Sequence, residues 1–175
     1  ITLANKKIIA EHLGCNNIAG LQQIHSDIVH IIDDNFEFDA IYQGDAMVSS
    51  KAGYIIAVIT ADCVPVLFTD IENQVIGAAH AGWRGALNSI TDRVIDIMIE
   101  QGAKRDNIRT LIGPAIQQKS YEVDAEYRCK FIAEYPDNTD FFIESKHVGH
   151  YMFDLPGYVK NKLARAGIKQ IYQLS

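Results

Sequence analysis

Apolar residues along this chain recur in two rhythms. A period near 3.6 marks helices: Ile8, Ile9 and Leu13 share one face of a segment over residues 5–13, closed by Gly14. Ile90, Val94, Ile97 and Met98 repeat at i, i+4, i+7, i+8 and predict a helix over 89–101. Asn88 or Ser89 caps it, Asp92 lies in its first turn and Gly102 ends it. Two further helices are predicted over 124–135 and 155–166, the second opened by Asp154, with Pro156 in its first turn, and closed by Gly167. Short apolar runs predict strands over 21–25, 28–32, 46–49 (after a Gly44-Asp45 turn), 54–60, 64–69, 74–79, 108–112 and 168–174. The runs 54–60 and 64–69 are apolar up to a closing threonine and read as fully buried strands.

Strands outnumber helices and their order is irregular. The pattern therefore predicts an α+β (mixed α/β) fold, a single domain over 1–175 with mixed β-sheet layers and flanking helices, not a doubly wound sheet. Nearly half the residues are apolar and fewer than a quarter are charged, the balance of a globular chain. A net charge of -6 argues against non-specific binding to nucleic acid or anionic membrane. No apolar run approaches the roughly 18 residues that span a bilayer, and the N-terminus carries no signal-peptide pattern. Cys15, Cys63 and Cys129 are too far apart for a disulfide framework, so the expected compartment is the cytoplasm. The chain opens at Ile1 without a methionine and stops at Ser175 just after a strand-like run. Sequence is expected to be missing at both ends, and part of the site with it.

Three potential metal ligands stand where the chain leaves a predicted strand: His25, Cys63 and His80. Imidazole, thiolate and imidazole with an open fourth position form the catalytic pattern of zinc sites. Asp62, beside Cys63, opposes ionisation of the thiol, and a bound cation is the simplest way to keep it a thiolate. The spacings fit no short metal motif, so the residues alone leave two readings open: a metal site, or a core cysteine with two hydrogen-bonded histidines. Arg84 and Gly85, ahead of the predicted 89–101 helix, are candidates for holding an anion at a helix N-terminus; an ordinary tight turn is the alternative. Trp83 is either a stacking platform or core. His12, His30, His147 and His150 are expected to face solvent or make incidental hydrogen bonds.

Gln23-Ile24-His25, Asp45-Ala46-Met47-Val48, Thr60-Ala61-Asp62-Cys63-Val64-Pro65-Val66-Leu67, His80-Ala81-Gly82-Trp83-Arg84-Gly85 and Gly113-Pro114-Ala115-Ile116 with Tyr121-Glu122-Val123 occur in that order. Together they resemble the laccase-domain proteins of the YfiH/YlmD type, long labelled polyphenol oxidoreductases and now regarded as purine nucleoside phosphorylases. The resemblance covers nearly the whole chain. It implies a fold shared with cysteine–histidine deamidases and one metal, zinc with copper possible, on His25, Cys63 and His80. It implies purine nucleosides and phosphate as partners: phosphorolysis of adenosine, inosine and methylthioadenosine, with hydrolytic deamination of adenosine. It also implies further segments at both ends, and cysteines where this chain has Lys119 and Ser120.

Deamination requires a proton shuttle, and the ordinary H-x-E with P-C-x-x-C signature is absent; Asp62 is the nearest candidate in sequence. A multicopper oxidase needs about ten histidines, many in H-x-H pairs, whereas this chain has six and no such pair. A single copper on two histidines and a cysteine transfers one electron and does not reduce dioxygen to water. The stronger rival is a metal-free hydrolase with Cys63 as nucleophile and His80 as base. A non-catalytic metal-binding module stands third.

Overall fold

The structure, a computed structural model, describes residues 3–15 and 17–174. Its helices are α1 (Leu3–His12), α2 (Trp83–Leu87), α3 (Ile90–Glu100), α4 (Ala125–Glu134) and α5 (Leu155–Arg165). Its strands are β1 (Asn17–Ala19), β2 (Val29–Ile31), β3 (Ala46–Ser49), β4 (Tyr54–Ile56), β5 (Val64–Asp70), β6 (Val75–Ala81), β7 (Arg109–Ile112), β8 (Glu122–Asp124), β9 (Phe142–Glu144), β10 (His150–Phe153) and β11 (Gln170–Gln173). A six-stranded sheet runs β11-β7-β5-β6-β3-β2, parallel at its two outer pairs and antiparallel at the inner ones. Beside it lie an antiparallel sheet β8-β10-β9 and a parallel pair β1-β4. The architecture is α+β with mixed sheets, as the irregular order of elements predicts.

Period-2 alternation sends Val64, Val66 and Phe68 of β5, with Val75, Ala79 and Ala81 of β6, to one face of the large sheet. There they pack with the apolar stripe of α3, Ile90, Val94 and Met98, and with Val159 and Leu163 of α5. Gly77 permits this approach: a Cβ there would lie 3.0 Å from Val94 Cγ1 and 3.3 Å from Met98 Sδ. On the sheet's other face Met47 joins a smaller core with Ala19 and Ile32. Phe131, Phe142, Phe153, Tyr127 and Tyr158 form an aromatic cluster where α4 and α5 meet the three-stranded sheet. No helix among the described residues is long and apolar enough to cross a membrane.

Several boundaries differ from the sequence pattern. Residues 21–25 form no strand beyond an isolated bridge from Gln22 to Gln43, because the backbone there curls around a buried carboxylate. The strand predicted over 54–60 is confined to Tyr54–Ile56, which is half-buried and pairs with the unpredicted β1. Strand β5 is buried on one side only. Leu67 is exposed on a groove of about 540 Å³ shared with Leu111 and Tyr172. Ser89 does not cap α3 through its side chain. It adopts a left-handed φ of 66°, and its hydroxyl accepts a hydrogen bond from the buried Lys162 Nζ at 2.8 Å. Asp124 and Asp154 do cap α4 and α5, accepting from Tyr127 N at 2.7 Å and Gly157 N at 2.9 Å.

Candidate metal centre

The register of the large sheet assembles most of the site. In the antiparallel β5–β6 pair Pro65 lies opposite His80 and Val64 opposite Ala81. Continuing that register places Cys63 across from Gly82, and alternation puts Cys63, Pro65, His80 and Gly82 on one face. In the β3–β6 pair Ala46 opposes Ala79, which brings Asp45 beside His80; His80 N donates to Asp45 O at 2.7 Å. The loop carrying Cys63 is held from the other side by residues 113–116, with Gly113 N donating to Pro65 O and Ile116 N to Asp62 O, both at 2.9 Å.

Of the residues singled out from the sequence, His25, Cys63 and His80 converge. One ligand atom each from His25, Cys63 and His80 lies within 4.8 Å of the others, the one such group of three or more among the described residues. His80 is buried, Cys63 half-buried and His25 exposed, so the cluster opens to solvent on the His25 side. The two imidazole rings meet edge to face with centroids 4.9 Å apart. Burial pushes the Cys63 thiol up, and the negative charges of Asp62 and Asp45 add to the effect. The protein by itself therefore disfavours a thiolate there, and a cation among the three donors reverses the balance.

Asp62 is exposed next to Cys63 and acts on the thiol through its charge. Arg84 departs from expectation. It falls within the short helix α2, not in a turn before α3, and its guanidinium lies exposed over the Trp83 ring, 5.1 Å from the centroid. The helix-terminus part of the anion reading is thereby lost, since the left-handed Ser89 and its Lys162 partner occupy the start of α3. Trp83 packs on Tyr127 at 5.0 Å, with Lys130 Nζ also 5.8 Å from its ring centre. It is a half-buried wall beside the centre. Among the other histidines, His30 Nε2 hydrogen-bonds Gln43 O at 2.8 Å and His147 pairs with Glu122 at 3.0 Å, while His12 is exposed.

Sequence reasoning treated Asp45 as a turn residue and missed its place in the site. Fully buried, it accepts hydrogen bonds from Ile24 N, His25 N, Ser26 N and Ser26 Oγ, and its Oδ1 lies 2.8 Å from His80 Nδ1. Burial pushes its carboxyl up, but the bonds from Ser26, His80 and His25 outweigh this and hold it below the usual carboxylate range. A carboxylate at the mouth of an apolar strand, next to a candidate ligand's strand, is the signal that could have found it. Burial pushes the Tyr121 hydroxyl up, and it lies 3.1 Å from that of Tyr127.

The family described as multi-copper polyphenol oxidoreductase laccase matches residues 2–175. A Rickettsia conorii protein named purine nucleoside phosphorylase is 42% identical over 171 residues, covering 98% of this chain and 70% of that protein. A protein from an unknown prokaryotic organism, named adenosine deaminase RL5, is 34% identical over 154 residues, covering 84% of this chain and 59% of its own length. The crystal structure of a Bacillus licheniformis hypothetical protein, YfiH, superposes with a TM-score of 0.89 at 30% identity, covering 98% of this chain and 69% of that one. The chain belongs to the multi-copper polyphenol oxidoreductase laccase family.

Proposed function

We propose that this chain is a metal-dependent purine nucleoside phosphorylase that acts on adenosine, inosine and methylthioadenosine and also deaminates adenosine. The observation that carries the reading is the meeting of His25, Cys63 and His80 donor atoms within 4.8 Å. The names of its relatives, purine nucleoside phosphorylase and adenosine deaminase, supply the substrate class. Two imidazoles and a thiolate suit zinc and also accept copper. Bound there, the metal supplies Lewis acidity toward an oxygen of substrate or water.

The remaining chemistry falls to the side chains. In phosphorolysis a phosphate oxygen bonds to C1′ of the ribose, the N-glycosidic bond breaks, and its electron pair leaves with a base that takes up a proton. Arg84 holds the phosphate through a guanidinium left exposed above Trp83. Asp62, exposed beside Cys63, carries the proton when water replaces the amino group at C6 of adenine. His80 keeps its ring orientation through Nδ1 and Asp45.

A cysteine hydrolase is favoured by one observation: Asp45, His80 and Cys63 follow one another in the order of an acid–base–nucleophile triad. Against it, an activated nucleophile needs a depressed thiol pKa, and that of Cys63 is raised. Product analysis after metal quantification separates the two. The phosphorylase forms adenine and ribose 1-phosphate from adenosine only with phosphate, forms inosine without it, and loses both activities on chelation. Full activity after verified metal removal, abolished by thiol alkylation, would establish the hydrolase instead.

A further inference from the structure

One buried carboxylate touches the supports of two candidate ligands. Asp45 Oδ1 receives His25 N at 3.0 Å and faces His80 Nδ1 at 2.8 Å. Its Oδ2 receives Ser26 N at 2.6 Å, Ser26 Oγ at 2.7 Å and Ile24 N at 3.2 Å. Three consecutive backbone N–H groups thus converge on one anion, the arrangement of a backbone nest. His25 at its centre has a φ of 61°, a left-handed conformation uncommon for a residue with a side chain. The same turn carries the His25 ring to the ring of His80 and to Gly82.

His80 is constrained from the other side. A carboxylate has no proton to give, so His80 Nδ1 donates to it and Nε2 is the nitrogen left to face Cys63 and His25. An asparagine cannot reproduce this arrangement. Its single oxygen would serve one side of the site while its NH2 faced N–H donors on the other. We infer that Asp45 is the positioning residue of the metal centre, setting the backbone of His25 and the ring tautomer of His80 together, so that the two imidazoles form one preorganised pair. This role rests on the metal reading of the cluster.

Cobalt(II) titration against a competing chromophoric chelator tests it, with the thiolate-to-cobalt absorption and the d–d bands as spectroscopic readouts. Asp45→Asn is expected to raise the cobalt dissociation constant by about tenfold or more and to weaken the tetrahedral d–d signature. Asp70→Asn makes the same change at a buried carboxylate at the far end of β5, and its affinity stays within about threefold of wild type. Equal affinities and spectra for wild type and Asp45→Asn overturn the inference while leaving the metal centre intact. A wild-type protein that binds no cobalt overturns the metal centre itself, and this role with it. Should Asp45→Asn not fold, nitrogen-15 NMR of metal-free wild type decides: an Nδ1-protonated His80 supports the role, and an Nε2-protonated one overturns it.

Discussion

Gly82 leaves the space that the His25 ring fills. A Cβ on Gly82 would lie 2.8 Å from His25 Cδ2 and 3.1 Å from Cys63 Sγ. Its φ of −66° is open to any residue, so glycine is required here for room and not for backbone freedom. Gly82→Ala is expected to keep the fold, displace His25 and weaken metal binding by about tenfold or more. Wild-type affinity in chelator competition would show that the ring yields without cost.

In the metal-free protein the Cys63 thiol should alkylate slowly. Burial and the charges of Asp62 and Asp45 raise its pKa, so the reactive thiolate appears only above the pH at which a free cysteine ionises. Asp62→Asn removes one of the two carboxylates and should move the midpoint of the alkylation rate downward. Mass spectrometry of Cys63 labelling against pH measures both, and a midpoint below that of a free cysteine would contradict the assignment.

Arg84→Lys should raise the phosphate KM several-fold while deamination of adenosine, which uses no phosphate, changes little. Lysine keeps the charge but loses the planar fork and the broad contact with Trp83. Because the side chain is exposed, the melting temperature should hold. An equal loss of both activities would assign Arg84 to the architecture of the site.

Lys162 anchors α5 to two other helices. Its Nζ donates to Glu134 Oε1 at 2.7 Å and Ser89 Oγ at 2.8 Å, and Tyr158 OH donates to the other oxygen of Glu134 at 2.6 Å. Lys162→Met leaves that carboxylate without its cation and should cost about 2–4 kcal/mol, shifted down from roughly 3–5 for fully buried pairs because Glu134 retains some exposure. Urea unfolding measures the loss, and a change below about 0.5 kcal/mol would mean solvent replaces the partner.

Asp70 ties β5 to the segment after α3. Burial pushes its carboxyl up, but hydrogen bonds from Lys104 N, Asn73 and the Glu72 backbone outweigh that, leaving its pKa below the ordinary value. A depressed folded-state pKa contributes stability that is present above the unfolded-state value and lost as pH falls through the folded one. Asp70→Asn should therefore flatten the acid side of the stability profile, read by urea unfolding between neutral pH and pH 3. An unchanged acid slope would remove Asp70 from that account.

Local pattern determined much of this protein. The stripe of Ile90, Val94 and Met98 predicts α3 to within a residue at each end, and the Asp154 cap with Pro156 predicts the start of α5. The apolar runs predict β3, β5 and β6, and the residues that interrupt them, Cys63 and His80, are the ones that meet. These features are legible because helix stripes, caps and apolar breaks arise from neighbours in sequence. What only the tertiary structure decided depends on partners far along the chain. Strands β1, β8, β9 and β10, three or four residues long, are not marked by the local pattern as the equally short β3 is, and exist through pairing. The 21–25 segment has strand-like composition, yet it wraps a carboxylate about twenty positions away. That contact turns His25 toward Cys63, and no run of local residues encodes it, since a buried anion must gather its donors wherever the fold brings them.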